Sequence, residues 1–111
     1  PCVLPEDGEA VFVKHFPNSF RDTPLLDSLR ELNPDRLVIA GMMTHMCIDT
    51  TVRAAADLAF NCILAGDACA TRSLAFGETA VPAEHVQAAF LAALSAFARV
   101  DTAASICASL P

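Results

Sequence analysis

Arg36-Leu-Val-Ile-Ala-Gly-Met-Met-Thr-His-Met-Cys-Ile-Asp-Thr-Thr-Val-Arg53 decides the fold. Leu37, Val38, Ile39 and Ala40 form a short continuous apolar run, the pattern of a strand buried on both faces. Gly41 is expected to end it. From Thr44 the period becomes helical: Cys47, Thr51, Ala54 and Leu58 follow at spacings of four, three and four. Asp49–Arg53 and Arg53–Asp57 are opposite charges four apart, which suits an exposed helix face. Thr44 stands where an N-cap is needed. Cys47 then falls in the first helical turn, just past the end of a buried strand.

That place gives the thiol a chemistry. Unpaired N–H groups and the positive end of the helix dipole face it, and both favour the thiolate, the nucleophilic form. The same N–H groups can hold an oxyanion developing on an attacked carbonyl. Ligands of open α/β sheets bind beyond the carboxyl ends of the strands. The competing reading is a buried structural thiol, because cysteine is among the residues most often buried.

Upstream, Ala10-Val-Phe-Val-Lys14 reads as a short strand ending in the chain's one lysine. His15 to Phe20 is a loop, with Pro17, Asn18 and Ser19 as turn residues. Thr23 then caps a helix with Pro24 at its first position and Leu25, Leu26, Leu29 and Leu32 as its buried stripe. Downstream, Asn61 to Gly66 is a second apolar run stopped by glycine, followed by Asp67-Ala-Cys-Ala-Thr71. Arg72 to Val81 reads as irregular. Pro82 opens a third helix with Val86, Phe90, Leu94 and Phe97 on one stripe and Glu84 in its first turn. Val100 to Ile106 reads as a short edge strand. Alternation of strands and helices predicts a mostly parallel sheet with helices on both faces.

Strand ends on one edge of such a sheet converge, so Lys14 and Cys47 are expected to meet there. An ammonium beside a thiol favours the thiolate and supports negative charge in a transition state. Against this stands a lysine that simply ends a strand at the surface. Asp67 and Thr71 lie at the next strand end, where they are candidates to line a pocket, although a cap and a turn are the commoner roles. His15, His45 and His85 lack metal-ligand spacing, so no metal site is expected. Gly41-Met-Met-Thr-His-Met is neither G-x-G-x-x-G nor G-x-S-x-G, which argues against a dinucleotide cofactor and a serine nucleophile.

Composition bounds the rest. The 111 residues make at most one domain. A net charge of −6 and an isoelectric point near 4.7 argue against nucleic acid or an anionic membrane as partner. No apolar run approaches the ~20 residues of a membrane span. Five cysteines with no C-x-x-C and no secretory pattern fit reduced thiols in a cytoplasm. A hydrophobic content of 54% and a mean hydropathy of +0.45 are high for so short a chain. Surface must therefore be buried against something further, either more of its own chain or a partner subunit.

Val13-Lys14-x-x-x-x-Ser19-Phe20, the turn Gly41-x-x-Thr44-x-x-Cys47 before an Ala-rich helix, and Gly66-Asp-Ala-Cys-Ala-Thr71 together resemble the isochorismatase-like cysteine hydrolases. Nicotinamidases, N-carbamoylsarcosine amidohydrolases and isochorismatases belong to that group. The resemblance runs from about Val11 to Val100. It implies a single domain over 1–111, a three-layer α/β/α sandwich around a mostly parallel, Rossmann-like sheet. It implies Cys47 as nucleophile and Lys14 as triad lysine. It places a cis peptide at Met42–Met43 and an oxyanion hole on the backbone N–H groups of Met43 and Cys47. Phe20, Thr44 and Asp67 become candidate pocket-lining residues. It implies a small-molecule substrate with an amide-like C–N bond, no cofactor and a homo-oligomer. The alternatives are vinyl-ether hydrolysis of an isochorismate-like substrate, or a non-catalytic oligomeric member.

One departure is large. The family's aspartate ends an early strand in an apolar-run-Asp-x-Gln segment, and nothing here matches it; Asp7 lies in a Pro/Gly-flanked loop. The expectation is an N-terminally incomplete domain, short of its first strands by roughly 60–80 residues if two βα units are absent. The metal-binding Asp/His set of nicotinamidases belongs to the same upstream region.

Overall fold

The apolar run at Leu37 does form a strand. In the computed structural model it continues through Gly41 to give β1, Leu37–Met42. The structure describes residues 3–111; Pro1 and Cys2 lie outside the described residues. Before β1 comes α1, Leu25–Leu32. After it follow a π-helical turn, Thr44–Ile48, and α2, Asp49–Asp57. Then come β2 (Cys62–Ala70), the hairpin strands β3 (Leu74–Phe76) and β4 (Thr79–Val81), α3 (Ala83–Leu94), β5 (Arg99–Asp101) and α4 (Ala103–Ser109).

β1, β2 and β5 make a parallel sheet in the order β1-β2-β5. Parallel neighbours need crossovers, and α2 and α3 supply them. Alternation along β2 builds the two faces of the core. Leu64 packs with Ile48, Val52 and Leu94 on the α2/α3 side. Ile63 and Ala65 pack with Ile106 of α4 on the other. The architecture is a three-layer α/β/α sandwich with a parallel sheet.

Several elements differ from the sequence reading, each for a physical reason. Ala10–Lys14 forms no strand and joins no ladder. A cleft of about 1100 Å³ lies between the Pro5–Ala10 stretch and Val38 and Ala40 of β1. Strands pair only at about 4.8 Å, so the Pro5–Ala10 stretch leading into this segment does not bond to β1 across the cleft. Leu32 points away from the core and is 73% exposed, so the stripe of α1 ends at Leu29.

Gly66 does not stop β2. It is a point of close approach: a Cβ there would sit 3.2 Å from Val100 Cγ1 and 3.3 Å from Leu91 Cδ1. The β1–β2 register also slips, from Ile39↔Leu64 to Gly41↔Cys69, so two steps on β1 face five on β2. Gly41 takes φ of +136°, a conformation side chains rarely adopt, and the strand kinks there rather than ending. Arg72 to Val81 contains the β3–β4 hairpin, turned at Gly77 with φ of +58°. The region 100–106 splits into the end of β5 and the start of α4. Thr102 caps that helix, its Oγ1 accepting Ser105 N–H at 3.1 Å.

Candidate active site

β1 delivers the chain to its carboxyl edge, and Gly41 bends it. The Met42–Met43 peptide that follows is cis. Met43 O then accepts both Met46 N–H at 3.0 Å and Ile48 N–H at 3.3 Å, the second bond closing the wide π turn. Cys47 stands within that turn, half-buried, with α2 beginning two residues later. The expected side-chain cap at Thr44 is not made. Met43 occupies the capping position without a side-chain bond. Thr44 is fully buried, and its Oγ1 has no hydrogen-bond partner among the described residues.

Lys14 reaches this turn from the loop rather than from a strand end. Its Nζ donates to Phe16 O at 2.8 Å, Pro17 O at 3.3 Å and Cys47 Sγ at 3.2 Å. An ammonium has three N–H donors, so all of them are engaged and one is aimed at the sulfur. A charged donor stabilises negative charge on its acceptor. Among the described residues no carboxylate is hydrogen-bonded to either Cys47 or Lys14.

Other residues singled out in the sequence lie around this pair or away from it. Phe20 stacks on Phe60, with centroids 6.2 Å apart and planes 7° from parallel. Together with Leu25, Leu29 and Ile39 it lines a cavity of about 180 Å³ between α1 and the sheet. Asp67 accepts Ala103 N–H at 2.7 Å, at the start of α4. It also borders a cleft of about 590 Å³ at the ends of β1 and β2, with Gly41, Met42 and Cys69. Burial pushes the Cys69 thiol up, the Gly41 backbone pulls it down more weakly, and Asp67 adds a smaller upward push. Burial alone pushes Cys62 up. Both thiols are therefore held protonated, unlike a group that must attack as thiolate.

Sequence reasoning missed the polar scaffold of the turn. His45 Nδ1 lies 2.7 Å from Thr71 Oγ1, and Phe90 meets the imidazole edge-on. Gln87 Nε2 donates to Gly66 O at 3.2 Å and Cys69 O at 3.1 Å, fastening the bulged part of β2 to α3. Thr51 ties α2 to the loop of Lys14. These contacts join residues far apart in sequence, and no periodicity marks them. Of these residues the sequence marked Thr71, as a pocket or turn candidate at a strand end, and showed Thr51 only as part of a helical stripe four residues after Cys47. Among the described residues, no three His, Cys, Asp or Glu side chains gather as a metal ion would require, and no helix is long and apolar enough to cross a membrane.

A thiol at the head of a helix, bonded to an ammonium at the carboxyl edge of a parallel sheet, defines a class: α/β sandwiches of the cysteine-hydrolase kind. The chain belongs to the isochorismatase family, whose domain model matches residues 1–105. It is 50% identical over 101 residues to the uncharacterized isochorismatase family protein YddQ of Bacillus subtilis, covering 90% of this chain and 56% of that protein. Among solved structures, an isochorismatase from Pseudomonas putida superposes with a TM-score of 0.92 at 40% identity, over 95% of this chain and 55% of the other. A cysteine hydrolase from Pseudomonas syringae superposes at 0.88 with 28% identity, over 93% and 49%. The chain thus spans about half the length of these relatives.

Proposed function

We propose that this chain carries the nucleophile and its lysine for an isochorismatase-family hydrolase that cleaves an amide-like C–N bond of a small molecule. The observation that supports this reading is the 3.2 Å contact from Lys14 Nζ to Cys47 Sγ at the carboxyl edge of the sheet. The Cys47 thiol gives its proton to a carboxylate outside the described hydrogen-bonded set, the role the family resemblance gives to an aspartate. The thiolate then bonds to the carbonyl carbon and pushes the carbonyl electron pair onto oxygen. Backbone N–H groups of Met43 and Cys47 receive that oxyanion, and Lys14 supports the charge. Collapse breaks the C–N bond, and the amine leaves with the proton from the carboxylate. Water, deprotonated by the same carboxylate, attacks the thioester, releasing the acid and regenerating Cys47.

A cytoplasmic location accompanies this reading, supported by four free cysteines among the described residues. A homo-oligomer accompanies it too, supported by exposed Val38 and Met42 on the edge strand.

The test replaces Cys47 with Ala and follows turnover on a panel of small primary amides, N-carbamoyl compounds and isochorismate. Loss of amide turnover by at least about a thousandfold, with circular dichroism unchanged, is the expected result. Substantial amide hydrolysis by the variant, or hydrolysis of isochorismate alone by the unmutated protein, overturns the reading.

A further inference from the structure

Lys14 is not held on Cys47 by its own side chain alone. Two of its three N–H groups are spent on the carbonyls of Phe16 and Pro17, in the loop that follows it. Where Nζ stands relative to the sulfur therefore depends on where those carbonyls stand. One residue ties the second of them, Pro17 O, to α2, the helix that follows directly on the turn of the thiol. Thr51 Oγ1 lies 3.2 Å from Pro17 O, 3.0 Å from Ser19 Oγ and 3.1 Å from Ser19 N.

A hydroxyl has one proton and two lone pairs, and the three contacts can all be satisfied in one way. Ser19 N–H and Ser19 O–H both donate to Thr51 Oγ1, and Thr51 O–H donates to Pro17 O. Pro17 O is then the shared acceptor of Thr51 and Lys14. The chain of bonds runs from the α2 hydroxyl through a loop carbonyl to the ammonium, and from the ammonium back to Cys47, one turn before Thr51.

We propose that Thr51 is a positioning residue for the Lys14–Cys47 pair: its hydroxyl clamps the Pro17–Ser19 loop to α2 and so sets the ammonium on the sulfur. This rests on the reading of Cys47 as nucleophile. Without the hydroxyl, Pro17 O loses its link to α2, and Ser19 loses its acceptor. The loop is then free to carry Lys14 off the sulfur. Side-chain shape matters little here, because a valine would fill the same space.

The test needs no substrate. The rate of Cys47 alkylation by iodoacetamide is followed by peptide mass spectrometry from pH 5 to pH 10 on the intact chain. The variants are Thr51→Val, Thr51→Ser, Thr51→Ala and Lys14→Met. Thr51→Val and Thr51→Ala should each slow alkylation at pH 7 by about tenfold and move the pH profile upward, in the direction of Lys14→Met. Thr51→Ser, which keeps the hydroxyl, should return to within about threefold of the unmutated chain.

A structural role would not distinguish serine from valine in this way, and the paired valine and alanine variants guard against one of them misfolding. If Lys14→Met moves the profile while both hydroxyl-deleting variants overlay the unmutated chain, the positioning role is wrong and the nucleophile reading stands. If Cys47 of the unmutated chain reacts no faster than the exposed Cys107, and Lys14→Met changes nothing, the nucleophile reading fails and takes this inference with it.

Discussion

Thr44 has no exposed surface, and its hydroxyl finds no partner among the described residues. A buried hydroxyl left unbonded costs about 1–3 kcal/mol, whereas a methyl in its place costs nothing comparable. Thr44→Val keeps the shape and removes the orphan. Its expected effect is a gain of about 1 kcal/mol, read as a higher urea midpoint at unchanged slope. A fall in the midpoint would mean that the hydroxyl is bonded in the folded protein. The same count explains why Lys14 and Cys47 could be paired from sequence while Thr51 could not. A lone lysine and a cysteine at a strand–helix turn are chemically conspicuous. A threonine in a helix is not, because its worth lies in three contacts made across 32 and 34 residues of chain. What sets Cys47 apart from Cys62 and Cys69 is the Lys14 ammonium on its sulfur, a contact across 33 residues of chain.

At the scale of elements, periodicity located α1, α2, α3 and the starts of β1 and β2, since each carries a run long enough to show its period. The period over Cys47, Thr51, Ala54 and Leu58 marked α2 as a helix without saying which face is buried. The stripe that is buried is Ile48, Val52 and Ala55, while Leu58 is 37% exposed. The β3–β4 strands are three residues each, too short for alternation to be read. Glycines misled in another way: Gly41 and Gly66 read as stops but lie inside strands, one for its φ and one for the space beside it. The second gives a direct test. A methyl at residue 66 would press on Val100 and Leu91, and Val100 is pinned in the ladder opposite Leu64. Gly66→Ala should therefore cost about 1–3 kcal/mol in urea denaturation, although alanine is ordinarily neutral or better in a strand. No loss would mean that β5 and α3 can move away from β2 freely.

At the scale of the molecule, the sheet order β1-β2-β5 leaves one side of β1 without a ladder partner among the described residues. That side is apolar, with Val38 at 48% and Met42 at 67% exposure, and the cleft beyond it separates β1 from Pro5–Ala10. Unpaired N–H and C=O groups beside exposed aliphatic side chains are a template for another strand. Charge opposes this, since like-charged copies at a net −6 repel one another. The two effects respond differently to salt. Screening weakens the repulsion within about 10 Å at 0.1 M ionic strength and leaves apolar contact intact. The chain should therefore sediment as a concentration-dependent mixture, with the larger species favoured as salt rises. Val38→Lys places a charge on the unpaired edge and should return it to the monomer at every salt concentration. Were the unmutated chain to stay monomeric across that range, the exposed edge would not be where copies meet, and the proposed homo-oligomer would lose its support in this strand.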